Sequence, residues 1–138
     1  MRNKIVVHLS GGLGNQMFQF MAGYGFAKES GRQLLLNLNW FSNPRFSDRN
    51  SAAYLTKRKA EILEFTAVAN TSIDNSKTPK DERFERLVRS FSESSRRRLG
   101  IASEESFGEA EWFNQNSIRR LSGYFMAPKY FLGTSPEV

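Results

Sequence analysis

Apolar residues crowd into Lys4 to Leu9 (KIVVHL), a run rich in β-branched types that stops at Ser10-Gly11-Gly12. That spacing predicts a buried strand. From Asn15 to about Glu29 the period lengthens. Met17, Phe18, Met21, Tyr24 and Ala27 fall three and four residues apart, the stripe of a helix. Gly31 stands where a C-terminal helix cap belongs. Gly23 and Gly25 lower helix propensity but permit close approach to a neighbouring backbone. Gln33 to Leu38 (QLLLNL) then returns to the pattern of a buried strand. Strand, glycine turn, helix and strand in this order are the sequence form of a right-handed β-α-β unit.

Beyond Leu38 the pattern is less regular. Trp40-Phe41-Ser42-Asn43-Pro44 breaks the strand, and Ser47 to Ser51 is polar. Tyr54 to Phe65 reads as a short helix with Leu55, Ile62 and Phe65 turned inward. Asn70 to Lys80 (NTSIDNSKTPK) has the composition of a loop. Its Asn70-Thr71-Ser72 matches the glycosylation sequon, read here as a chance match because no secretion signal precedes it. Asp81 to Leu99 predicts a charged helix, with Phe84, Leu87, Val88 and Phe91 as its apolar stripe and Gly100 as its stop. Ser103 to Glu111 is acidic and opens another short helix. Ile118 to Phe125 (IRRLSGYF) reads as a third strand, and Ala127 to Phe131 as a helix start with Pro128 in its first turn.

Composition narrows the chemistry. The 138 residues suit one domain, and 39% hydrophobic content supports a modest core. With no cysteine and one histidine, His8, neither a disulfide framework nor a His-based metal cluster can be assembled, so no metal site is expected. The apolar run at the start is too short for a signal peptide and lacks a cleavage-like end. No stretch reaches the roughly 20 apolar residues that span a bilayer. A soluble, cytoplasmic protein is the expectation, with peripheral membrane association as the other placement. A net charge of +6 raises the question of nucleic acid. The arginines cluster at Arg96, Arg97 and Arg98 and at Arg119 and Arg120, runs more typical of solvated faces. Without an aromatic-basic recognition motif, a nucleic-acid partner is not expected.

The informative segment is Gly11-Gly12-Leu13-Gly14-Asn15-Gln16, between strand and helix. Glycines there let a ligand lie against the main chain. The N–H groups opening the following helix carry partial positive charge and suit a phosphate or oxyanion. Asn15 and Gln16 add amides that both donate and accept, useful for sugar hydroxyls. A tight turn with Asn15 as the helix N-cap explains the same residues without a ligand, and both readings stand at this point. The segment lacks the Lys-Ser/Thr end of a P-loop and the third glycine of the dinucleotide fingerprint. The second strand ends in Leu36-Asn37-Leu38-Asn39, with no carboxylate for a ribose, so a nicotinamide dehydrogenase is not expected. His8, inside a strand, is expected to be packed or hydrogen-bonded; a general base near the turn is the alternative.

Read as a whole, His8-Leu9-Ser10-Gly11-Gly12-Leu13-Gly14-Asn15-Gln16-Met17-Phe18-Gln19-Phe20 resembles the opening motif of the α-1,2-fucosyltransferases of glycosyltransferase family 11. Leu36-Asn37-Leu38-Asn39-Trp40-Phe41 resembles the family's second strand and aromatic exit, although an acidic residue is common where Asn37 or Asn39 stands. Leu121-Ser122-Gly123-Tyr124-Phe125, then Lys129-Tyr130-Phe131, is similar to the family's Gly-Tyr-Phe-Gln-Ser segment with its Lys-Tyr-Phe; here Met126-Ala127 replaces the Gln-Ser.

The resemblance implies an α/β fold, the Rossmann-like N-terminal domain of a GT-B-type glycosyltransferase. It implies metal-independent, inverting transfer of fucose from GDP-fucose to a galactoside acceptor, with no cofactor. It makes Gly11, Gly12, Gly14, Asn15 and Gln16 substrate-binding residues and assigns no catalytic residue. The family's His-x-Arg-Arg-x-Asp segment has no counterpart here, because Arg119-Arg120 lacks both flanking partners. Residues 1–138 are therefore expected to form a partial enzyme without its donor-binding domain, inactive alone, with a separately encoded C-terminal half as one candidate partner; a natural truncation and a gene-calling artefact are the other readings. A non-catalytic nucleotide- or glycan-binding remnant is the alternative. Trp40, Phe41, Trp112, Tyr124 and Phe125 are available to stack on sugars, with core packing as their commoner use.

Overall fold

Lys4–His8 (β1) and Gln33–Asn37 (β2) lie side by side and parallel, joined through the 18-residue helix Leu13–Ser30 (α1). The computed structural model describes residues 3–42, 59–74, 90–102, 118–123, 125–126 and 130. Three two-residue strands complete the sheet: Ser72–Ile73 (β3), Ile101–Ala102 (β4) and Arg120–Leu121 (β5). Its order is β3-β2-β1-β5-β4, and every pairing is parallel. The chain builds outward from β1 through β2 to β3, then resumes on the far side of β1. β4 takes the far edge, and the chain then steps back inward to β5, beside β1. Three short helices, Asn39–Ser42 (α2), Thr66–Ala69 (α3) and Glu93–Arg98 (α4), and a 3-10 turn at Glu61–Glu64 complete the described elements.

The expected β-α-β start is observed, and its helix ends as the sequence reading expects. Gly31 takes φ 64°, its N–H reaches Lys28 O, and Arg32 N reaches Ala27 O, the paired bonds of a Schellman motif. Which face of α1 turns inward differs from the expected stripe. Gln16, Gln19, Phe20, Gly23, Phe26 and Ala27 are buried, whereas Met17 is 47% exposed. Ala27 alone of the expected stripe is fully buried. The cause is distance: α1 lies so close to the sheet at Gly23 that a Cβ there would stand 3.0 Å from Val7 Cβ and 3.1 Å from Leu34 Cδ1. A side chain there would press on Val7 and Leu34, so the glycine keeps this face of the helix close to the sheet. Strand alternation then assigns Ile5, Val7, Leu34, Leu36 and Leu121 to the α1 face, all within the main hydrophobic core.

Gly23→Val is therefore expected to lower stability by about 2–3 kcal/mol, because overpacking outweighs the gain in helix propensity. A urea titration measures it; an unchanged midpoint would mean that the helix does not rest on Val7 and Leu34.

Elsewhere the structure corrects several expectations. The helix over Tyr54–Phe65 is, within its described part, a 3-10 turn at Glu61–Glu64, with Ile62 buried but Phe65 48% exposed. Residues Ser72–Ile73, expected in a loop, pair as β3 with Leu35 and Leu36. Their polar neighbours hid a strand that needs only two residues of ladder. The expected Asp81–Leu99 helix is interrupted at Phe91 and Ser92. There Ser92 Oγ accepts a hydrogen bond from Ser95 N and starts α4 anew, as serine N-caps do. Gly100, with φ 72°, ends it as expected. The third strand is limited to Arg120–Leu121; Phe125, fully buried against Tyr130, takes φ 54°, outside the extended region. Leu55, Phe84, Leu87, Val88, Trp112, Tyr124, the Ser103–Glu111 helix and most of Ala127–Phe131 lie outside the described residues.

Candidate functional site

The glycine turn leaves the carboxyl end of β1, the central strand. Gly11 takes φ +74°, a left-handed conformation that favours glycine, and Gly12 serves as the N-cap of α1 without any side-chain cap. The helix thus begins at Leu13, and Asn15 lies within its first turn rather than at the cap. The first intrahelical bond runs from Gln16 N to Gly12 O, 3.1 Å. Helical geometry leaves the N–H groups of Leu13, Gly14 and Asn15 without intrahelical acceptors. No carboxylate sits in that turn to neutralise them. Gly14 is exposed, and a Cβ built on it would meet nothing within 4 Å. Asn15 lays its carboxamide over Gly11, and its side chain makes no hydrogen bond to another described residue. The open side of the turn thus presents main-chain donors and one amide.

Gln16 takes a different place. It is fully buried; its Nε2 donates to Gly11 O and Lys59 O, both at 2.9 Å, and its Oε1 accepts from Ile62 N at 3.1 Å. Its amide clamps the turn to the 59–62 segment, and these bonds explain the 3-10 turn there. Gln19, one helical turn on, is a second clamp. Its Oε1 accepts from Ser10 N at 2.9 Å, and its Nε2 donates to Ser10 Oγ at 2.9 Å and to Gly123 O at 3.0 Å. The second clamp ties the end of β1 to the residues that follow β5, its neighbour in the sheet.

On the other face of the sheet lies a polar cluster that the sequence did not reveal. Arg120 pairs with Val6 in register and shares its face with His8, while Asn37 stands opposite His8 on β2. Arg120 Nη1 lies 3.4 Å from His8 Nε2 and 3.5 Å from Asp74 Oδ2. Asn37 Nδ2 donates to the same Asp74 oxygen at 3.2 Å, and Asn37 Oδ1 accepts from Asn39 N at 3.2 Å. Burial first, and the Arg120 charge second, lower the His8 pKa to about 4, with Asp74 opposing. His8 is therefore a neutral acceptor, hydrogen-bonded within the sheet. Arg120, expected in a solvated run, has a side chain only 26% exposed, and Asp74 sits in a presumed loop. No local spacing announces either; the pairing of β3 and β5 around β1 and β2 brings them together.

Trp40 and Phe41 stack edge to face on α2, 5.1 Å between centroids and half-buried. Among the described residues no group of three or more His, Asp or Glu side chains can hold a metal ion, and no helix is long and apolar enough to cross a membrane.

These observations define a small mixed α/β domain with a parallel five-stranded sheet, consistent with a generic Rossmann-like fold. Comparison with protein-family models, with curated proteins and with solved structures finds no match.

Proposed function

We propose that the chain binds a sugar nucleotide as the Rossmann-like domain of a GT-B-type glycosyltransferase, α-1,2-fucosyl transfer from GDP-fucose to a galactoside being the reaction its motifs resemble. The observation that carries the reading is the position of the Gly11–Asn15 turn. It stands at the carboxyl end of the central parallel strand, the end of the sheet at which open α/β folds bind their ligands. The helix-opening N–H groups receive a phosphate there, with Asn15 contributing an amide to phosphate or sugar. Gly11 and Gly12 shape the approach, and Gly14 leaves room for the ligand. Gln16 holds the turn in shape from beneath. Transfer further requires donors to meet the charge developing on the departing diphosphate; each is worth about 3 kcal/mol in barrier. A non-catalytic nucleotide-binding domain would use the same atoms, and acceptor-dependent transfer separates the two.

Gly14→Leu tests the site. The side chain enters open space, so the melting temperature is expected to hold while calorimetric affinity for GDP and GDP-fucose falls at least tenfold. Asn15→Ala is expected to weaken binding without altering the fold. No heat of binding by the wild-type chain at millimolar nucleotide would sink the proposal.

A further inference from the structure

We propose that Arg120 is an anchor for a phosphate group, braced by Asp74 and His8, on the sheet face opposite α1. A guanidinium carries five N–H donors, two of them on each terminal nitrogen. Both contacts of Arg120 with its neighbours pass through Nη1, at 3.4 Å to His8 Nε2 and 3.5 Å to Asp74 Oδ2. Neither Nη2 nor Nε pairs with another described residue. The separation from Asp74 is longer than the roughly 2.7–2.9 Å of a direct charge-assisted bond. The carboxylate therefore orients the cation without closing its fork in the bidentate manner. Asp74 is itself held: its Oδ2 takes the Asn37 amide, and its N–H donates to Leu36 O at 2.8 Å. His8, neutral and part-buried, fixes the other side of Nη1 as an acceptor and adds no competing charge.

The result is an arginine with three uncommitted donors, positioned on the strand that pairs with β1. A planar donor fork of this kind matches the oxygens of a phosphate. The inference goes beyond the reading of the glycine turn, because it holds for a phosphate carried by any molecule and uses the other face of the sheet.

The single histidine supplies a clean reporter. Inorganic phosphate is titrated into the full chain, and the His8 ring protons and the Arg120 Nε–H resonance are followed by NMR. Binding is expected to shift the Arg120 Nε–H signal saturably and to raise the His8 pKa, because a dianion near the ring favours imidazolium. Arg120→Lys keeps the charge but loses the fork, and is expected to weaken phosphate at least tenfold. Gly14→Leu is expected to leave inorganic phosphate binding at this site intact. If phosphate moves neither resonance in the wild-type chain, which needs no variant to fold, the inference is wrong. If GDP binding depends on Gly14 while neither resonance responds to GDP or phosphate, the inference fails and the glycine-turn reading stands. If phosphate binds through Arg120 but GDP does not bind, the reverse holds.

Discussion

Replacing Gln19 by leucine is expected to cost about 1–3 kcal/mol, although leucine is the better core residue by hydrophobicity. The side chain is 1% exposed, and it satisfies Ser10 N, Ser10 Oγ and Gly123 O together. Leucine would leave Ser10 N and Gly123 O, both half-buried, without these partners, each at up to about 1–3 kcal/mol. Burying its apolar surface offsets only part of that. Against a total stability of about 5–15 kcal/mol for a domain, the loss is a large fraction and moves the unfolding midpoint measurably. Urea denaturation followed by circular dichroism measures it. Met17→Gln is the matching control: at 47% exposure it should change stability by no more than about 0.5 kcal/mol. The helical stripe in the sequence predicts the opposite ranking, so one pair of variants decides which face of α1 is inside.

The second large effect is acid lability centred on His8. Its folded pKa of about 4 lies below the unfolded value of 6.5, so the unfolded chain takes up the proton more readily. The contribution of neutral His8 is therefore fully present above pH 6.5 and is lost as the pH falls from there toward 4. At about 1.4 kcal/mol per pKa unit the whole window amounts to about 3 kcal/mol. A plot of unfolding free energy against pH is expected to slope upward across that interval. In His8→Gln the slope should flatten, whatever the variant's absolute stability, because the glutamine amide does not titrate. Parallel slopes in the two proteins would mean that the histidine is as readily protonated in the fold as outside it. The same experiment bears on chemistry: a ring that stays neutral to about pH 4 is a poor acid near neutrality, and its lone pair is turned to Arg120.

Legibility followed the range of the interaction. The β1–α1–β2 unit could be read because its signals are local: a β-branched run, a glycine turn, and a glycine at the end of the helix. The Schellman cap at Gly31 needs only neighbours within six residues. β3 escaped notice because a two-residue strand has no period to detect, and its pairing with Leu35 and Leu36 spans nearly forty residues. The break at Ser92 was present in the sequence as a capping serine but was outweighed by the apolar positions around it. For the candidate site, the turn itself was legible, and the division of labour within it was not. Gln16 looked like a ligand group because an amide suits a sugar as well as a carbonyl. Only the arrival of Lys59 and Ile62 beside it shows where its hydrogen bonds go.

By itself, then, the sequence determined the parallel β-α-β start, the glycine turn at its hinge, and the absence of any cysteine or second histidine for metal chemistry. These depend on residue type and short-range periodicity. The tertiary structure decided the rotation of α1, the two glutamine clamps, and the meeting of Arg120, His8, Asn37 and Asp74. The physical reason is the same for all three. A buried polar group or a missing Cβ has no preference of its own for one neighbour. It takes its role from whichever distant strand the sheet order brings within hydrogen-bonding or van der Waals distance.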